Sequence, residues 1–168
     1  NIIKSKENAF ELEMDVTPAS MATTGIELYN AKGEKVNIYF DMKERKLVMD
    51  RTESGLIEFG KLAVPHDIEK NYTDIHQGVG NTPFRVFNSI NYKNDFALGT
   101  WAPLSLCEGK TYHVDIFVDK CSVEIFVDGG RIAMTNLVFP TTPYTSVKFY
   151  NKGASSSFRN IKISELSL

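Results

Sequence analysis

Apolar and polar residues alternate strictly over residues 112–118: Tyr112, Val114, Ile116 and Val118 fall on one side, His113, Asp115 and Phe117 on the other. Successive side chains of a strand point to opposite faces, so this period of two predicts a strand with one dry face. Val123, Ile125 and Val127 repeat the pattern. Asp119, Lys120, Cys121 and Ser122 separate the first two runs, and Asp128, Gly129 and Gly130 separate the second from a third that ends at Pro140. Glycine supplies the positive φ of a tight hairpin turn, so residues 111–140 read as a β-meander.

The same alternation recurs toward the N-terminus. In AFELEMDV, residues 9–16, Phe10, Leu12 and Met14 oppose Glu11, Glu13 and Asp15. TGIELYN, VNIYFD and KLVMD follow, with the exposed turns AKGEK and MKERK between them, and predict a second meander. Beyond Gly55 the pattern weakens: LIEFGKLAV is a poor strand, HDIEKNYTDIHQGVGN reads as a loop and PFRVFNSINY as a better strand. GTWAP, around Trp101, reads as a loop, and SVKFYN and SFRNIKISEL close the chain as strands. No amphipathic helix exceeds two turns. Roughly a dozen short strands predict an all-β fold, a two-sheet antiparallel β-sandwich occupying residues 1–168 as one module.

Composition narrows the function classes. The 168 residues carry a formal charge of −2 with both signs interspersed, which argues against nucleic acid as a partner because a polyanion requires a clustered basic face. No run approaches the roughly 18 apolar residues of a membrane-spanning helix, so no membrane partner is expected. Cys107 and Cys121 flank a strand of roughly 20 Å, and both are expected to be free thiols unless the loop before Thr111 doubles back. His66, His76 and His113 lack paired spacing, so neither a metal site nor a cofactor is expected.

Three phrases carry a family likeness. FVDKCSVEIFVDGGRIAMTNLVFP, LVMDRTESG and, more weakly, FALGTWAPL resemble the C-terminal β-sandwich module of glycoside hydrolase family 32, the invertases, levanases and inulinases. The resemblance implies a concanavalin-like jelly roll and a parent enzyme that cleaves β-fructosides with retention. Retention needs a carboxylate nucleophile and a carboxylic acid about 5 Å apart. The family's Asn-Asp-Pro-Asn, Arg-Asp-Pro and Glu-Cys motifs lie on a five-bladed propeller, and none occurs here: Asn94-Asp95 runs into Phe96, and Cys107-Glu108 is reversed.

The expectation is therefore a piece of a longer enzyme: a non-catalytic C-terminal accessory module that stabilises the propeller of its parent chain or forms an interface. The alternative is an autonomous carbohydrate-binding module for levan or inulin, and a third, remoter reading is a laminin-like protein-binding sandwich. A homodimer contact and export of the parent are further implications of the likeness. Residues 58–95 exceed the family's usual connection and read as an insertion.

Candidate residues follow from these phrases. Asp50, Arg51, Asp119 and Glu124 sit at the motif centres. Arg51 and Glu124 read either as part of a sugar site or propeller interface, or as structural groups, with Arg51 or Lys120 expected to neutralise Glu124. Trp101, Tyr92 and Tyr72 are candidates for stacking on sugar rings, with Tyr144, Tyr150, Phe84 and Phe87 as further aromatics, against the plain reading of core residues. Asp67, Asp74, His76 and Gln77, within the long segment 66–92, offer polar contacts to a neighbouring subunit or to the parent's pocket, or belong to a surface excursion.

Overall fold

The computed structural model describes residues 9–58, 96–104 and 109–166. Tyr72, Tyr92, Phe84, Phe87, the polar residues of 66–92, Cys107 and the strand expected at PFRVFNSINY lie outside the described residues. Ten strands are described: β1 (Phe10–Thr17), β2 (Thr23–Tyr29), β3 (Lys35–Asp41), β4 (Lys46–Glu53), β5 (Gly99–Pro103), β6 (Tyr112–Val118), β7 (Ser122–Val127), β8 (Ile132–Leu137), β9 (Ser146–Lys152) and β10 (Ser157–Glu165). They form two antiparallel five-stranded sheets, ordered β10-β1-β6-β7-β8 and β5-β4-β3-β2-β9. Both expected meanders are present, β2-β3-β4 in one sheet and β6-β7-β8 in the other.

Alternation decides which face is dry. Leu12, Val114, Ile116, Val123 and Ile125 from one sheet, and Ile26, Leu28, Ile38, Leu47 and Met49 from the other, are buried in one core. Each opposes a polar or half-exposed neighbour on the same strand, as two stacked sheets require. The buried polar groups are mostly bonded. Thr24 Oγ1 donates to Asn151 Oδ1 at 2.8 Å, and Asn136 Nδ2 donates to Thr100 Oγ1 at 2.8 Å, which ties β8 to β5 across the sheets.

GTWAP corrects the loop expected there. It is β5, the edge strand beside β4, with Trp101 paired to Val48. Glycine and proline weaken a strand signal, but an edge strand tolerates both, because one side of its backbone has no ladder partner.

Candidate functional site

The phrase LVMDRTESG builds a latch at the end of β4. Asp50 Oδ1 accepts from the Thr52 N–H at 2.9 Å, and the Ser54 N–H donates to the Arg51 carbonyl at 3.1 Å, which turns the chain. The Ser54 carbonyl then accepts the buried Tyr144 hydroxyl at 2.5 Å, and the Leu56 N–H donates to the Phe139 carbonyl at 2.8 Å. Burial pushes the Tyr144 phenol well above its ordinary range, so it stays a donor. The Arg51 guanidinium donates to the Leu137 carbonyl at 2.9 Å and lies 4.1 Å from the centre of the Phe96 ring. Desolvation lowers its pKa. These contacts join the end of β4 to the segment between β8 and β9.

Neither Arg51 nor Lys120 neutralises Glu124. Arg51 belongs to the other sheet, while Glu124 points outward from β7 between Phe117 on β6 and Thr135 on β8. No described cation bonds to it. It shares the outward face of β7 with Phe126 and stays half-exposed there, so no protein cation is needed. Asp119 closes the β6–β7 turn, where its Oδ1 accepts from the Lys120 N–H at 2.6 Å and its own N–H donates to the Ser122 carbonyl at 3.0 Å.

On the outer face of the same sheet, strand register gathers a charged group that spacing alone did not reveal. His113 on β6 contacts Asp15 on β1 through Nδ1 at 2.9 Å and Asp115 through Nε2 at 3.2 Å. Asn160 Nδ2 donates to Asp15 Oδ2 at 2.6 Å, and Lys162 on β10 pairs with Glu13 at 2.8 Å. Glu13, His113 and Asp115 hold potential metal-ligand atoms within 4.8 Å of one another, but Lys162 and the imidazole already serve these carboxylates.

The bond to Asp15 raises the His113 pKa above its ordinary 6.5, with Asp115 and Glu13 adding to the shift, and the bonds from Asn160 and His113 lower that of Asp15. A histidine whose pKa is raised by folding adds stability below its unfolded pKa, and that contribution fades as pH rises through the folded value. Urea midpoints of the wild type and His113→Gln should therefore differ most near pH 5.5, with the gap shrinking as pH climbs past neutrality. A gap that widens with pH contradicts the imidazolium clamp.

The other sheet presents a different outer surface. Trp101, Val48, Tyr39, Gly25 and Tyr150 face one another across all five strands in a single row. Beside it runs the row Gly99, Asp50, Asn37, Glu27 and Lys148. A methyl group at Gly25 would lie 2.5 Å from Tyr39 Cβ and closer still to the Ile38 carbonyl, so only glycine fits between the two tyrosines. The Tyr150 hydroxyl donates to Asn37 Oδ1 at 2.6 Å, and burial pushes its pKa up to about 12. Trp101 is 57% exposed, with the Lys46 ammonium 4.4 Å from its ring centre. Of the three residues expected to stack on sugar, Trp101 lies in this row and Tyr72 and Tyr92 fall outside the described residues. Alternation along β3 fixes the face of Tyr39 but not its neighbours across the sheet.

Every described carboxylate with a resolved pKa shift is lowered. For Asp15 the bonds from Asn160 and His113 do this; for Glu34 and Asp128 burial pushes upward, but Thr141 and Asn30 outweigh it at the first and Lys110 and the His113 N–H at the second.

These features define a two-sheet antiparallel sandwich whose polar chemistry lies on open sheet faces. The chain belongs to the family described as glycosyl hydrolases family 32 C terminal, whose model matches residues 1–165. It is 28% identical over 156 residues to a levanbiose-producing levanase of Bacillus subtilis (strain 168), covering 93% of this chain and 24% of that protein. A levanase of Bacillus sp. (strain L7) is 22% identical over 165 residues, or 98% of this chain and 14% of the relative. The crystal structure of exo-inulinase from Aspergillus awamori matches with a TM-score of 0.68 at 20% identity, over 99% of this chain and 26% of that one. This chain thus spans 14–26% of the length of these relatives.

Proposed function

We propose that this chain is the non-catalytic C-terminal accessory module of a fructan-degrading glycoside hydrolase, and that it packs against and stabilises a catalytic five-bladed propeller in the same polypeptide. The carrying observation is the family match over residues 1–165 in a chain that corresponds to only 14% and 24% of two relatives named as levanases. In this reading residues 1–168 are one β-sandwich module, with residues 58–95 inserted into it. The parent acts outside the cell, where polymeric fructan is accessible.

The coding sequence upstream of Asn1 tests the proposal. It should contain Asn-Asp-Pro-Asn, Arg-Asp-Pro and Glu-Cys in that order, and these 168 residues alone should release no fructose from levan or sucrose. An upstream region without the three motifs, or fructose release by this chain alone, overturns the reading.

A further inference from the structure

We propose that the outer face of the β5-β4-β3-β2-β9 sheet binds a neutral oligosaccharide, laid across the strands along the row from Trp101 through Tyr39 to Tyr150. The proposal rests on the accessory-module reading only for the choice of fructan as first ligand. Register carries the geometry. Trp101 and Tyr39 are two strands apart, as are Tyr39 and Tyr150, so their Cα positions recur at about 10 Å. Short Val48 and Gly25 separate the three aromatic residues along the row, and Gly25 is itself buried beneath it. The C–H face of a sugar stacks on such a ring, and its hydroxyls turn toward whatever polar groups stand alongside.

Those groups are present and prepositioned. Asn37 Oδ1 already accepts the Tyr150 hydroxyl, which leaves its amide N–H groups to donate, and Asp50 uses Oδ1 on the Thr52 N–H, which leaves Oδ2 to accept. Glu27 and Lys148, paired at 3.5 Å, extend the same row. The Lys46 ammonium restrains the Trp101 ring, yet more than half of that side chain's surface stays open.

Charge selects the class of ligand. Lys35, Lys46, Lys148 and Lys152 are balanced on this face by Glu27, Asp41, Asp50 and Glu53. Four charges of each sign, interleaved, repel and attract a polyanion about equally, so nucleic acid and anionic lipid gain nothing here. A protein partner seeks a continuous apolar centre, whereas these rings stand apart, each bordered by charged or amide side chains. An uncharged, polyhydroxylated chain with alternating apolar and polar surfaces meets both properties.

Trp101 is the only tryptophan, so intrinsic fluorescence reports on this face alone. The 168-residue chain is titrated with oligosaccharides from levan, from inulin and from starch, with calorimetry in parallel. Saturable quenching and heat with a fructan are expected, with affinity reduced about tenfold in Tyr150→Ala by fluorescence and in Trp101→Ala by calorimetry. Glu124→Gln, on the opposite sheet, should leave the affinity unchanged, and urea midpoints confirm that each variant is folded. Binding of starch oligosaccharides alone, lost in the same variants, supports a carbohydrate face while removing the fructan assignment. No saturable binding at millimolar sugar, or affinity unchanged in folded Trp101→Ala and Tyr150→Ala, overturns the proposal.

Discussion

Replacing Ile116 by alanine is expected to lower the unfolding free energy by about 3 kcal/mol, within the roughly 2–5 kcal/mol usual for such truncations of a core. Ile116 is completely buried on β6, paired with Leu12 on β1 and Ile125 on β7, which are also inaccessible to water. It occupies the middle strand of its sheet, so the void opens where both lateral neighbours are fixed by ladders and cannot close in freely. Three carbons leave the core, and at about 0.8 kcal/mol per buried methylene the transfer loss alone is roughly 2.4 kcal/mol, to which the cavity adds. Urea denaturation at neutral pH measures the change.

The adjacent residue makes the test specific to register. Phe117 points the other way, half-buried against Phe126 in an edge-on contact at 5.9 Å. Phe117→Ala should cost clearly less than Ile116→Ala, on the order of 1–2 kcal/mol, despite removing a larger side chain. A larger loss at Phe117 would mean that the faces of β6 are reversed.

How far the sequence carries is clear from these two positions. The faces of β1, β3, β6 and β7 can be read from alternation, because burial on one side of a sheet imposes a period of two on composition. What alternation lacks is the neighbour. Nothing local places β1 between β6 and β10, and only that pairing brings Asp15 to His113. Tyr39 likewise acquires meaning only once β4, β5 and β9 set it in line with Trp101 and Tyr150. Glu124 shows the complementary limit: its place at a motif centre suggests a paired charge, yet on the outer face of β7 it stays half-exposed with no described cation bonded to it. Edge strand β5 is not legible in the sequence, because glycine and proline resemble turn punctuation wherever the ladder is one-sided.

Gly55→Ala is expected to destabilise the fold by about 3 kcal/mol or more, through two separate costs at one position. The backbone of Gly55 has φ +130, a conformation that a side chain makes unfavourable by about 1–3 kcal/mol. A methyl group there would also lie 2.5 Å from the Phe139 carbonyl oxygen and 2.7 Å from Pro140 Cα. Both are backbone atoms, so no rotamer change relieves the clash, and overpacking of this kind adds about 1–3 kcal/mol.

Relief requires the segment after β8 to retreat, and that segment is where the Leu56 N–H and the Arg51 guanidinium make their bonds. The loss should therefore exceed that of Gly130→Ala, where φ is +89 but no atom lies within 4 Å of the added methyl group, so only the conformational cost applies. Thermal and urea unfolding of the two variants side by side separates strain from collision. Equal losses would show that the close approach between Gly55 and Phe139 does not constrain the fold, and would leave the glycine that ends LVMDRTESG explained by its dihedral angle alone.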